Sequence, residues 1–271
     1  MTRRSAGFGK KVRTMFDRLY ETDFAVLYPM TIVLITGAAE VGAWLGGRSR
    51  RDAEEIPETG TLTGAALGLL ALLLAFSFSL ALSRYEARLN WVLEEANAIS
   101  STANFALMLP EPAQKPILNL LRAYTGVRIG LGVPYDPAKL ERDIVRSLEL
   151  QNQLWQQATA VTAAAPQSLP TYRFVASLNE MNNIHERRLT ALRYHIPEAV
   201  IFLLIVVAMV ATGFTGYHAG ARSSRGRVAT LIMSLTIAVV IMLVIDLDRP
   251  ARGLIQVPVR ALVDVQQGIP G

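Results

Sequence analysis

The chain has 271 residues, of which 51% are hydrophobic and 18% charged, and it contains no cysteine. This composition is too apolar for an ordinary soluble domain, and it excludes disulfide bonds, thiolate metal sites and cysteine nucleophiles. The net charge of +5 comes from basic residues beside apolar runs, which indicates membrane topology and anionic lipid rather than nucleic acid.

Four apolar runs predict membrane-spanning helices, because about 20 helical residues cross the roughly 30 Å hydrocarbon core of a bilayer. They cover residues 24–45, 62–82, 197–217 and 228–245. The first run could instead be a secretory signal, since Gly37-Ala38-Ala39 resembles a cleavage site. The run continues past that site, so we interpret it as an uncleaved span. Small residues four apart, such as Gly64 and Gly68, predict close packing between spans.

The second run continues into a charged helical pattern without Gly or Pro, and it meets its first proline at Pro110. We expect one helix that leaves the bilayer near Arg84 and enters a polar region. Helical spacing and Gly or Pro breaks predict three further helices in that region, at 111–131, 138–165 and 172–194.

The distribution of Lys and Arg favours a cytoplasmic position for both termini and for the central polar segment. The predicted fold is therefore all-α, with four transmembrane helices and a cytoplasmic helical domain between the second and third. The ranges are a basic cytoplasmic tail at 1–23, transmembrane helices 1 and 2 at 24–83, the cytoplasmic domain at 84–196, transmembrane helices 3 and 4 at 197–246, and a cytoplasmic tail at 247–271. The loop 220–227 carries three arginines although this orientation places it on the side opposite the cytoplasm. These arginines are either a tolerated exception to the charge distribution or a positive rim at the outer opening of a pore.

One face of the second span is periodic. Gly68, Leu72, Phe76, Ser79 and Ser83 recur at steps of three to four residues, and Glu86, Asn90 and Asn97 continue near that phase. Such a face could form an apolar constriction that gates by dewetting and opens into a polar vestibule. The alternative is ordinary packing, in which serine bonds its own backbone and phenylalanine packs against a neighbouring helix.

Charged residues close the fourth span at its predicted inner end: Asp246, Asp248 and Arg249. Two carboxylates are too few for calcium, which takes six or more oxygen ligands, so we predict a salt-bridged junction with the central domain. Possible partners in the second helix are Arg84, Glu86, Arg88, Glu94 and Glu95. The sequence has no metal-ligand spacing of histidines, no nucleophile–base set and no phosphate-binding loop, so we expect no metal, no cofactor and no catalysis.

Several of these motifs are similar to those of a known family. LAFSFSLALSRYEAR (74–88) resembles the end of the second membrane helix of bestrophins, the pentameric anion channels, and the order of elements also agrees. RYEAR, EEANAI, LNEMNN (178–183) and DLDRP with RGLI make the whole chain resemble the bacterial bestrophin-like family. The resemblance places the bestrophin neck on Gly68, Leu72 and Phe76. Gly68 departs from the bulky residue expected there, so a constriction would rest on Leu72 and Phe76.

The resemblance implies a homo-oligomeric ion channel, with a pentamer favoured, in the bacterial inner membrane. It would conduct anions such as chloride through a pore lined by the second helix. Ser79 and Ser83 would line the path below the constriction, and Arg84 and Arg88 would favour anions or brace the neck. Calcium activation is not implied, because the acidic cluster after the fourth span is reduced to Asp246 and Asp248. The alternative is a non-conducting scaffold or regulator whose cytoplasmic helices bind a partner.

Overall fold

The computed structural model describes residues 24–48, 57–131, 136–222, 224–249 and 253–270. In these residues every regular element is a helix, which confirms the all-α prediction. The helices are α1 (Phe24–Arg48), α2 (Pro57–Ala106), α3 (Gln114–Ile129), α4 (Pro137–Ala164), α5 (Leu169–Arg193), α6 (Glu198–Arg222), α7 (Ser224–Asp248) and α8 (Arg260–Gly268). The predicted basic tail at 1–23 lies outside the described residues.

Four segments are long and apolar enough to cross a membrane, and each overlaps one of the four runs predicted from the sequence. They are Ala25–Arg48 in α1, Gly60–Ala106 in α2, Leu169–Ala221 over α5 and α6, and Gly226–Asp248 in α7. The second is part of a single 50-residue helix, since α2 contains both the apolar run and its polar continuation. This helix ends at Ala106, and the backbone then turns at 107–109, before it reaches Pro110.

The chain divides into two compact units. The first, here called the membrane unit, extends to Ser83 and resumes at His195–Leu254. The second, here called the polar unit, comprises Arg84–Tyr194 and Ile255–Gly271. The C-terminal segment therefore belongs to the polar unit and contains α8, a helix that the sequence analysis did not predict.

Small residues bring α1 and α6 into close contact within the membrane unit. A Cβ atom added at Gly42 would overlap the carbonyl oxygen of Gly213, and one added at Gly216 would overlap that of Ala39. These positions match the small-residue spacing that permits close helix approach. Gly64 and Gly68 differ, because a Cβ atom at either position would have no atom of a neighbouring helix within 4 Å.

The polar unit has its own hydrophobic core, formed by α2 after Arg84 together with α3, α4, α5 and α8. Its fully buried side chains include Ile99, Leu121, Leu154, Phe174, Leu178 and Leu262. Two helix starts are fixed by side-chain caps: Asp136 accepts a hydrogen bond from the Ala138 amide, and Ser168 accepts one from the Thr171 amide. These caps set the registers of α4 and α5.

Candidate functional site

The predicted pore-lining residues all lie on one exposed face of α2. Leu72 is 53% exposed and Phe76 is 66% exposed, and Gly68, Ser79 and Ser83 are also exposed. The opposite side of this part of the helix carries a buried stripe of Leu70, Ser77 and Ala81. At about 100° per residue, the five exposed positions fall within one sector centred opposite the stripe. Among the described residues of the membrane unit, this face therefore has no partner.

The polar half of α2 continues the same exposed face with acidic and amide side chains. Glu86, Asn90, Glu94 and Asn97 are all exposed. The buried side of this half repeats at steps of three to four residues, with Arg88, Val92, Glu95 and Ile99. The exposed face thus changes from apolar to hydroxyl-bearing to acidic along the helix.

Arg88 does not present its charge to that face. The side chain is 3% exposed, and its guanidinium group donates to the carbonyl oxygens of Ala191 (3.3 Å) and Tyr194 (3.0 Å). These carbonyls lie at the C-terminal end of α5, where a cation interacts favourably with the helix dipole. Arg88 therefore ties α2 to the end of α5. Arg84 is half-buried and lies off the centre of the exposed face.

Asp246 and Asp248 are buried at the end of α7 and hold neighbouring segments of the membrane unit. Asp246 accepts hydrogen bonds from the Tyr28 hydroxyl and from the Leu254 amide, the latter at 2.8 Å. Asp248 accepts from the Ile196 amide at 2.8 Å, and the His195 ring lies 3.8 Å from its carboxylate. Arg249 is also buried. These contacts connect α1, the start of α6 and the segment after α7.

A buried charged cluster lies in the polar unit, centred on Glu95 of α2. Its Oε1 atom accepts from Arg128 Nε at 2.7 Å and from the Tyr124 hydroxyl at 3.1 Å. Its Oε2 atom accepts from Arg188 Nη1. His185 Nδ1 lies 3.0 Å from the same Tyr124 hydroxyl. The carboxylate therefore joins α2, α3 and α5 in the interior.

The cluster has a defined protonation state at neutral pH. Burial alone would raise the pKa of Glu95, but Arg128 and Arg188 hold that pKa below its ordinary value. Burial, reinforced by Arg128, lowers the pKa of His185 to about 4, while burial raises the pKa of Tyr124. Glu95 is therefore ionised, and His185 and Tyr124 are neutral. In the part of the chain that the structure describes, no three His, Asp or Glu side chains form a group able to hold a metal ion.

Comparison with known proteins identifies the family. The model of the Bestrophin-like domain matches residues 33–262, which is most of the chain. The chain belongs to the Bestrophin-like family. No curated protein matches the sequence of this Bestrophin-like chain.

Solved structures show that this Bestrophin-like chain has the fold of bacterial bestrophin homologues. A crystal structure of the bestrophin homologue from Klebsiella pneumoniae superposes with a TM-score of 0.71 at 14% identity, over 89% of this chain and 96% of that one. Two point variants of the homologue give TM-scores of 0.70 and 0.68 at 15% and 16% identity. They cover 89% and 88% of this chain, and 97% and 95% of theirs.

The structure of this Bestrophin-like protein brings some of the predicted site residues together and separates others. The five positions from Gly68 to Ser83 share one face. Asp246 and Asp248 share one end of the membrane unit, while Arg88 contacts the end of α5. The sequence analysis did not predict the Glu95 cluster. The sequence did contain one indication of this cluster, since Arg128 lies within the apolar periodicity of α3. A guanidinium group at a core position needs a buried carboxylate partner.

Proposed function

We propose that this Bestrophin-like protein is a homo-oligomeric ion channel, preferably a pentamer, whose pore is lined by the exposed face of α2. The observation that carries the proposal is the position of Leu72 and Phe76, which are the most exposed large side chains on the side of α2 opposite its buried stripe. Around a symmetry axis, copies of this face would meet each other and enclose a path. The family and fold support the channel class, since bestrophins are ion channels.

In this proposal Leu72 and Phe76 form the constriction. Rings of apolar side chains can exclude water from a narrow pore, which closes it to ions without a steric plug. Gly68 adds no side chain above them, and Ser79 and Ser83 supply hydroxyl groups that can solvate an ion below them. The order along α2 therefore fits a narrow apolar gate followed by a polar vestibule.

Charge selectivity separates two versions of the channel. The family resemblance implies inorganic anions such as chloride. A second candidate, a cation-preferring pore, is favoured by the exposure of Glu86 and Glu94 while Arg88 is buried against backbone carbonyls. Rings of acidic side chains attract cations and repel anions. A reversal potential distinguishes these two versions of one pore.

We place the protein in the bacterial inner membrane, with both termini and the polar unit in the cytoplasm. The excess of Lys and Arg near the corresponding span ends supports this orientation. Asp246, Asp248 and Arg249 would then lie at the inner boundary of α7, where their buried hydrogen bonds fix the ends of α1 and α6. The surrounding bilayer would cover the remaining apolar faces, and no catalytic step enters this account.

The rival is a non-conducting scaffold whose polar unit binds a partner. Ion flux through purified protein in liposomes decides between them. We expect flux above that of empty liposomes, and we expect Leu72→Ala and Phe76→Ala to increase it, because both widen the constriction. Leu235→Ala is the matched control, since Leu235 is an exposed leucine of α7 and does not belong to α2. No flux from the wild type and from both widened variants would favour the scaffold.

A further inference from the structure

The Glu95 cluster of the polar unit holds more positive than negative charge. Arg128 and Arg188 both contact the Glu95 carboxylate, one at each oxygen. Burial lowers the pKa of Arg188, an effect that Glu95 opposes, and guanidinium groups stay protonated in proteins. Because His185 and Tyr124 are neutral at pH 7, two guanidinium charges face a single carboxylate in the interior.

Three donor groups of these arginines have no hydrogen-bond partner in the part of the protein that the structure describes. Arg128 uses Nε for Glu95, while its Nη1 and Nη2 atoms are buried without a hydrogen-bond acceptor among the described residues. The same is true of Arg188 Nε. Arg128 is fully buried and Arg188 is 4% exposed. Buried donors are almost always paired with protein, water or an ion, and a buried unpaired charge is the least tolerated case.

The hydrogen bonds around Tyr124 determine which nitrogen of the His185 ring carries the proton. The Tyr124 hydroxyl has one proton and lies 3.1 Å from the ionised Glu95, so it donates to that carboxylate. His185 must then donate from Nδ1 to the Tyr124 oxygen, which leaves Nε2 as an unprotonated acceptor. An anion in this cluster would therefore take its hydrogen bonds from the arginines and not from His185.

We propose that Arg128, together with Arg188, binds a small monatomic anion of the chloride class inside the polar unit. Such an anion accepts hydrogen bonds from the terminal guanidinium nitrogens of Arg128 and also neutralises the second positive charge. A water molecule would accept the same hydrogen bonds but would leave the charge uncompensated. The site lies away from the exposed face of α2, and it does not depend on whether that face conducts ions.

Chloride-dependent stability of the full-length protein in detergent tests this site. Thermal unfolding is followed while chloride replaces gluconate at constant ionic strength. We expect Tm to rise by about 2–4 °C and to level off as the site fills, because a ligand that binds only the folded state stabilises it by mass action. Arg128→Met should lose the chloride effect. Arg142→Met should keep it, since Arg142 is an exposed arginine of α4.

Bromide replacement gives a second readout that needs no variant. Crystals of the wild-type protein grown in bromide should show an anomalous peak within hydrogen-bond distance of the Arg128 Nη atoms. Equal Tm values in chloride and gluconate would overturn the proposal. So would a water peak beside Arg128 without anomalous signal. If Arg128→Met fails to fold, the wild-type Tm comparison and the bromide measurement decide.

Discussion

Glu95 Oε1 lies 2.7 Å from Arg128 Nε, with both side chains fully buried. Arg188 contacts the other oxygen of the same carboxylate, so one acidic group on α2 pairs with basic groups on α3 and α5. Removal of one member of a buried pair leaves an uncompensated charge, which is more costly than the loss of a surface pair. The loss of Glu95 should therefore destabilise the polar unit more than the loss of an exposed ion pair would.

Glu95→Gln should therefore destabilise the polar unit by about 3–5 kcal/mol, because two buried guanidinium groups would lose their counter-charge. Chemical denaturation of the detergent-solubilised protein measures the change. Glu149→Gln is the control, since it removes an exposed ion pair with Arg146 and should cost about 1 kcal/mol or less. Equal effects of the two substitutions would contradict the assigned role of Glu95.

Stability should fall as the pH decreases from about 6.5 to 4.5, and His185 should be the cause. Its pKa is about 4 in the folded protein, against an ordinary value of 6.5, so between these pH values the unfolded chain binds a proton that the folded chain does not. The full shift of the His185 pKa corresponds to a loss of at most about 3 kcal/mol in the free energy of unfolding. Glu95, whose pKa is lowered from 4.5, adds its own loss of stability only at lower pH.

His185→Gln removes the titrating group while an amide can still bond Tyr124. We expect the slope of unfolding free energy against pH in this window to become flatter than in the wild type. Denaturation midpoints at a series of pH values measure both slopes. An unchanged slope in the variant would assign the pH dependence to another residue.

The close contact between α1 and α6 should be sensitive to a single methyl group. Gly216→Ala places a Cβ atom against the backbone carbonyl of Ala39, so the helices must separate, at a cost of about 1–3 kcal/mol. Gly37→Ala is the matched control on α1, because a Cβ atom there meets nothing within 4 Å. Alanine is the better helix former by about 1 kcal/mol, so this control should be neutral or stabilising. Thermal unfolding in detergent compares the two variants.

If the acidic face of α2 lines the path, then Glu86 and Glu94 should set its charge preference. The double substitution Glu86→Gln and Glu94→Gln should shift the reversal potential in a potassium chloride gradient towards that of chloride. Glu141→Gln on α4 is an exposed control and should leave the reversal potential unchanged. No shift in the double variant would mean that these carboxylates lie outside the ion path.

The sequence predicted those features that depend on local pattern. The apolar runs had the length that a bilayer requires, and the absence of Gly and Pro between Leu72 and Leu109 predicted the continuity of α2. Small residues also occurred at four-residue spacing in α1 and α2. Only the tertiary structure shows that Gly42 packs closely against a neighbouring helix and that Gly68 does not.

The Glu95 cluster and α8 could not be derived in the same way. Glu95 is 33 residues from Arg128 and 93 from Arg188, so their pairing depends on how α2, α3 and α5 pack. The helix α8 has only nine residues, and short helices depend on tertiary contacts for their stability. Its buried Leu262 and the bond from Arg122 to the Ile269 carbonyl (2.5 Å) provide those contacts.

The central claim is that the exposed face of α2 lines an ion path, and the absence of cysteine makes it directly testable. Ser79→Cys places a near-isosteric thiol on that face, and Leu235→Cys places one on the exposed surface of α7. Ion flux through each variant in liposomes is measured before and after a charged, water-soluble thiol reagent. The account predicts that the reagent strongly reduces flux through Ser79→Cys and leaves flux through Leu235→Cys unchanged. Flux through Ser79→Cys that is unaffected by the reagent would contradict it.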